Sequence, residues 1–188
     1  MSAIDKEEIA RLTEEYGGTW GINHTRRLLH LIDHIGEGLE YDGEVLWLAA
    51  HLHDWGAYKP WVQPDVDHVQ RSLEVVEPFL TEQGYPGDFK SNVLECIREH
   101  HSSRSDMSLE AVLLRDADVL DFLGVVGILR DFSKNPKELR KGYETTKKRR
   151  ERLPKTLYLE KSKELAETRI RQMDKFLAIF EMDSFGCF

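Results

Sequence analysis

Apolar residues recur at helical spacing through nearly the whole chain, and no segment alternates at period two for long enough to make a strand. The expectation is therefore an all-α fold. A short helix is expected over 4–16, ended by Gly17-Gly18, and a second over 23–35 with Leu28, Leu29, Ile32 and Ile35 on one side and Gly36 after it. A third is expected over 42–55. Its apolar residues Val45, Leu46, Leu48, Ala49 and Leu52 cover most of its circumference, which makes it the most buried helix. Lys59-Pro60-Trp61-Val62-Gln63-Pro64 reads as a loop, because two prolines interrupt any regular element.

Further helices are expected over 67–80 and 89–101, with a turn at Tyr85-Pro86-Gly87 between them and a polar loop from His101 to Met107. Residues 108–132 carry one or two helices with a weak point at Gly124/Gly127. Asn135-Pro136-Lys137-Glu138 has the residues of a helix start: an N-cap, a proline at the first position and an acid at the third. That helix should stop before Pro154. The last is an amphipathic helix over 157–182, with Leu165, Ile170, Met173, Leu177 and Phe180 on its core stripe. Together these give one domain over 1–188, with a core over 20–132, a polar helical excursion over 133–155 and the C-terminal helix.

At 188 residues the chain can bury a core without disulfides. Acidic residues outnumber basic ones 34 to 26, which argues against extended nucleic-acid binding or attachment to anionic lipid but allows a local basic pocket. The two cysteines, Cys96 and Cys187, are far apart and read as reduced thiols of a cytoplasmic protein. No apolar run approaches the roughly 20 residues that span a bilayer, and the first eight residues carry no apolar signal core.

Six of the eight histidines fall between Asn23 and His68. His53-Asp54 ends the most apolar helix, where an imidazole and an ionised carboxylate are costly to desolvate unless paired, protonated or bound to a cation. Neighbours on a helix point about 100° apart, so the two can converge on one ion only where the helix ends, or if the ion sits between their faces. Trp55-Gly56 supplies that ending. His24-Thr-Arg-Arg27, His68, His100-His101 and Asp116-Ala-Asp118-Val-Leu-Asp121 also lie near helix ends or on otherwise apolar helices. Imidazole with carboxylate suits first-row divalent ions. His30 and His34 have the spacing of a metal pair, yet read as surface or satisfied histidines, and His51 reads as structural. The run Lys147-Lys-Arg-Arg-Glu-Arg152 reads as a solvated helix face, with a lid over a polyanionic substrate as the alternative. Trp55, Trp61, Tyr58 and Phe122 are aromatic candidates for stacking on a base, though such residues are usually core; Trp61, between two prolines, is the exception.

These motifs resemble the HD-domain metal-dependent phosphohydrolases. The family pattern of a His, an adjacent His-Asp and a distant Asp corresponds to His24, His53, Asp54 and Asp118. His24-x-x-Arg27, Leu48-Ala-Ala-His-Leu-His-Asp54 and Asp116-Ala-Asp-Val-Leu-Asp-Phe-Leu-Gly-Val-Val-Gly-Ile-Leu-Arg130 are similar to family motifs, and so is Leu165-Ala-Glu-x-Arg169 to a final helix. The fold implied is a single-domain, HD-type helical bundle. Dinuclear members add two histidines, for which His68 and His100 or His101 are candidates; Ile97-Arg98-Glu99-His100 favours His100. The implied ligand set is His24, His53, Asp54, His68, His100 and Asp118, with Asp54 bridging. The Gly-Tyr-Pro signature of the cyclic-dinucleotide branch is missing, since Gly84-Tyr-Pro86 precedes the histidine pair.

The resemblance implies hydrolysis of a nucleotide or other small phosphoester with one or two divalent ions drawn from Mn, Fe, Co, Ni, Zn or Mg. Metal-activated water would attack phosphorus. Arg27 and Lys59, with Arg104 or Arg130, would neutralise phosphate charge, and Asp121 or His101 would assist proton transfer. Two other readings stand beside it: a di-iron oxygenase of the same fold, for which Tyr16 is a candidate residue, and a nucleotide-sensing module without turnover. The sequence leaves substrate identity and oligomeric state open.

Overall fold

The side chain of Asp5 accepts the Glu8 N–H at 3.0 Å and so caps the first helix, α1 (Lys6–Ile35). The computed structural model describes residues 5–188; Ile4, where that helix was expected to begin, lies outside the described residues. The predicted break at Gly17-Gly18 is a kink, not an end. Gly18 alone leaves helical geometry, at φ 63° and ψ −171°, a conformation open to glycine, and the helix resumes beyond it. The second helical segment therefore starts before residue 23.

The chain is all-α, with no strand among the described residues. It divides into two compact units, Met1–Arg115 and Asp116–Phe188.

In the first unit, α2 (Gly43–Leu52) is capped by Asp42, whose carboxylate accepts from Glu44 and Val45. Its Val45, Leu46, Leu48, Ala49, Ala50 and Leu52 are all at most 1% exposed, as the apolar circumference demanded. The helix ends at Leu52, three residues earlier than expected, and a 3₁₀ turn follows at Trp55–Ala57. The loop after it is present as predicted. Arg71 holds it by donating to the Trp61 carbonyl at 2.7 Å. Next come α3 (His68–Glu82), capped by Asp67, and α4 (Gly87–Glu99), which starts at Pro86. Leu28, Ile32 and Ile35 of α1 join Val76 and Leu80 of α3 and Val93 and Ile97 of α4 in the buried set. Each such side chain contributes about 1.5–3 kcal/mol on burial.

α5 (Leu109–Asp121) and α6 (Gly124–Ser133) resolve the predicted weak point into two helices. In the second unit, α7 (Leu139–Arg152) starts four residues after Asn135. Asn135 N–H donates to Phe132 and Glu138 N–H to Asn135, so the Asn-Pro segment closes successive turns instead of capping a helix. α8 (Glu160–Asp183) also starts late. The buried carboxylate of Asp116 accepts the N–H groups of Tyr158 (3.1 Å) and Leu159 (2.9 Å), holding them extended ahead of the helix. On α8, Met173 and Leu177 are buried as expected, whereas Leu165, Ile170 and Phe180 are only partly covered, and Ser162 and Ala166 complete the buried face.

Candidate metal centre

α2 stops because the chain turns at His53 and Asp54, and that turn brings the two side chains together. Asp54 has φ −102° and ψ 6°, and Trp55–Ala57 tightens into 3₁₀ geometry. Gly56 then packs on the start of α3. Its N–H donates to Ser72 Oγ at 2.9 Å, and a Cβ placed there would lie 2.3 Å from the Ser72 backbone nitrogen. This contact sets α3, and so His68 at its first position, beside the His53-Asp54 turn. Thr25 of α1 clasps the same region, with its hydroxyl 3.3 Å from the Ala50 carbonyl. His24, the residue before it, faces the turn.

Four histidines of the first unit thus surround one carboxylate. His53 Nε2 lies 3.5 Å and His24 Nε2 3.9 Å from Asp54 Oδ2, while His68 Nε2 lies 3.9 Å from Oδ1. His100 ends α4 with its ring centroid 5.1 Å from that of His53 and 5.7 Å from that of His68. His53, Asp54 and His100 present ligand atoms within 4.8 Å of one another, as do His68, His100 and His101. His24, His53 and His100 are at most 1% exposed.

The ring tautomers are fixed by the backbone. His53 Nδ1 bonds the Ala50 carbonyl at 2.9 Å and His100 Nδ1 the Ile97 carbonyl at 2.6 Å. A carbonyl only accepts, so each neutral ring carries its proton on Nδ1 and keeps its lone pair on Nε2. Buried imidazoles aimed at a carboxylate form a donor set that fits a first-row divalent ion.

Of the remaining candidates, Arg27 is half-buried on α1 and Lys59 is exposed in the turn after the 3₁₀ segment. His101 is exposed, with its ring 4.8 Å from that of His68. Asp118 and Asp121 are buried on α5. Asp121 accepts from Arg130 at 2.5 Å in the second unit. Arg104 pairs with Asp106 and Glu99. His30 and His34 are exposed on α1. His51 is buried and bonds the Trp47 carbonyl; burial pushes it down to about 4, so the ring is neutral.

Trp55 and Tyr58 are core residues, 2% and 5% exposed, and neither offers a face to a base. Tyr16 packs edge-on against Trp55 and Trp61. The aromatic that sequence reading missed is Trp20. It stacks on His24 at 5.7 Å between centroids, with the planes 30° apart, and is 45% exposed. The available signal was its place four residues before His24, one turn away on the same helix face.

The HD domain family matches residues 21–123 of the sequence. This chain belongs to the HD-domain superfamily of metal-dependent phosphohydrolases. Its structure is similar to that of Bacillus subtilis YpgQ in complex with ADP, at 24% identity and a TM-score of 0.74, covering 95% of this chain and 94% of that one. A predicted HD superfamily hydrolase from an uncultured Thermotogales bacterium is 26% identical, with a TM-score of 0.67 and 94% and 91% coverage. An HD-superfamily hydrolase from Bacillus thuringiensis is 21% identical, with a TM-score of 0.73 and 95% coverage of both chains. No curated protein matches the sequence. As a member of a metal-dependent hydrolase superfamily, this HD-domain protein carries the His-Asp pair for which the family is named at the turn after α2. No described helix is long and apolar enough to cross a membrane.

Proposed function

We propose that this HD-domain protein hydrolyses a phosphoester or phosphoanhydride bond of a nucleotide, at a centre where Asp54 and the histidines around it would hold two divalent ions. The observation that supports the reading is the distribution of imidazoles about that carboxylate: His24 and His53 face Oδ2 and His68 faces Oδ1. His24 and His53 would serve one ion and His68 and His100 the other; the family resemblance adds Asp118 to the set. Ions bound there would supply a water acidified towards a pKa of about 7 and positive charge opposite the phosphoryl oxygens.

The chain's own residues do the rest. The Ala50 and Ile97 carbonyls hold the His53 and His100 rings in the ligating tautomer, so no proton has to leave Nε2 on binding. Arg27 and Lys59 are the cations assigned to the phosphate oxygens. The exposed face of Trp20, one turn from His24, is where we place the base. That YpgQ was crystallised with ADP supports a nucleotide over other phosphoesters.

The test is metal analysis of the purified protein followed by phosphate release across a nucleotide panel, for wild type and Asp54→Ala. Wild type should turn over at least one nucleotide. Asp54→Ala should lose metal and fall by at least about 10³-fold, the scale expected when a group of the reacting centre is removed. Wild-type activity in Asp54→Ala overturns the assignment.

A further inference from the structure

The basic run of α7 is divided by helical phase into cations that are used and cations that are not. On one side, Arg150 makes a bidentate pair with Asp174 of α8, at 2.8 and 2.9 Å, and Lys147 bonds Tyr143, which itself donates to Glu181. These contacts lock α7 to α8. Lys148 and Arg152 lie about 40° apart on the opposite face, at roughly 100° per residue. Lys155 follows in the 3₁₀ turn Leu153–Thr156.

Lys148, Arg152 and Lys155 are exposed and have no acid partner among the described residues. They line a cleft of about 580 Å³ together with Thr145, Arg149 and Glu151, within the size range of small-ligand sites. Arg149 forms its fixed wall. Its guanidinium bonds buried Asp131 at 2.5 Å and lies 4.4 Å from the centre of the Phe122 ring. Cations in the last turn of a helix are favoured by its dipole, which accounts for a basic end but not for three unpaired cations gathered on one cleft. The chain carries a net charge of −8, so acids to pair them are abundant. Glu151 alone opposes them within the lining, which leaves the cleft net positive.

We propose that this cleft is a binding site for a polyphosphate chain, either inorganic tripolyphosphate or the triphosphate tail of a nucleotide. Lys148, Arg152 and Lys155 take successive phosphates as charge-assisted donors. The proposal uses only residues of the second unit and does not depend on the metal centre being catalytic.

The test is calorimetric titration of metal-free, full-length protein with sodium tripolyphosphate, ATP and orthophosphate. Three proteins are compared: wild type, Lys148→Gln/Arg152→Gln/Lys155→Gln, and Lys147→Gln. Tripolyphosphate and ATP should bind wild type at least tenfold more tightly than orthophosphate. The triple variant should lose at least tenfold, and Lys147→Gln, on the paired face of the same helix, should bind as wild type. Because the three side chains are exposed, the triple variant should keep its helicity. Single Lys155→Gln, with a smaller loss, provides a second reading if it does not. Three results overturn the site. Unchanged binding by the variants altered in the cleft would do so, and so would an equal loss in Lys147→Gln, which would make the attraction one of overall helix charge. Equal, weak binding of all three anions would reduce it to diffuse attraction and also overturn it.

Discussion

Gly56 rests directly on the backbone of Ser72, and this one contact joins the His53-Asp54 turn to the start of the helix that carries His68. The N–H of Gly56 donates to Ser72 Oγ, and there is no room for a methyl group between them. Gly56→Ala should therefore destabilise the protein by about 1–3 kcal/mol or more through overpacking. Ser72→Ala, which removes only the hydrogen bond, should cost about 1 kcal/mol. Urea denaturation of the two variants measures both. Equal midpoints for Gly56→Ala and wild type would sink the claim that the contact is tight.

The two faces of the Asp54 carboxylate make the histidines separable. On the proposed two-ion reading, replacing His68 or His100 by Ala should lower bound metal from two ions per chain to one, whereas replacing Asp54 should remove both. Elemental analysis after dialysis reads the stoichiometry directly. Two ions retained in His100→Ala would assign that ligand position to another residue, His101 being the neighbour within reach.

Trp20→Ala should raise the KM for a nucleotide about tenfold, within the about 1–3 kcal/mol that base–aromatic stacking supplies. A phosphoester without a base should be hydrolysed by Trp20→Ala and wild type alike. Trp20→Phe should restore most of the nucleotide KM. A kcat loss shared by both substrates would instead mean that Trp20 acts by positioning His24.

Asp121 and Arg130 form a buried ion pair, 2% and 7% exposed. Removing one partner leaves a buried charge, so Asp121→Ala should cost about 3–5 kcal/mol. Thermal or chemical denaturation measures it. A loss of turnover at unchanged stability would return Asp121 to proton transfer.

The two thiols should differ sharply. Cys96 is fully buried, and burial pushes its thiol well above the ordinary range, so it stays protonated and shielded. Cys187 is exposed. A disulfide reagent should titrate one thiol in the native protein and two in denaturant.

The sequence by itself determined the helical class, the burial of α2 and the identity of the residues around Asp54. Helical periodicity and the Asp42 and Asp67 caps are local, and a chain that places His-Asp at the end of an apolar helix has few ways to satisfy both groups. Element edges were lost wherever a distant group took over. Asn135 looked like a cap, yet its backbone closes a turn onto Phe132, and Asp116 holds residues 158 and 159 out of the last helix from more than 40 positions away. Only the tertiary structure decided which side of Asp54 each histidine faces, that Trp55 and Tyr58 are core while Trp20 is open, and which cations of α7 are already paired. Those properties depend on which surfaces meet after packing, and residue order carries no record of a distance between helices.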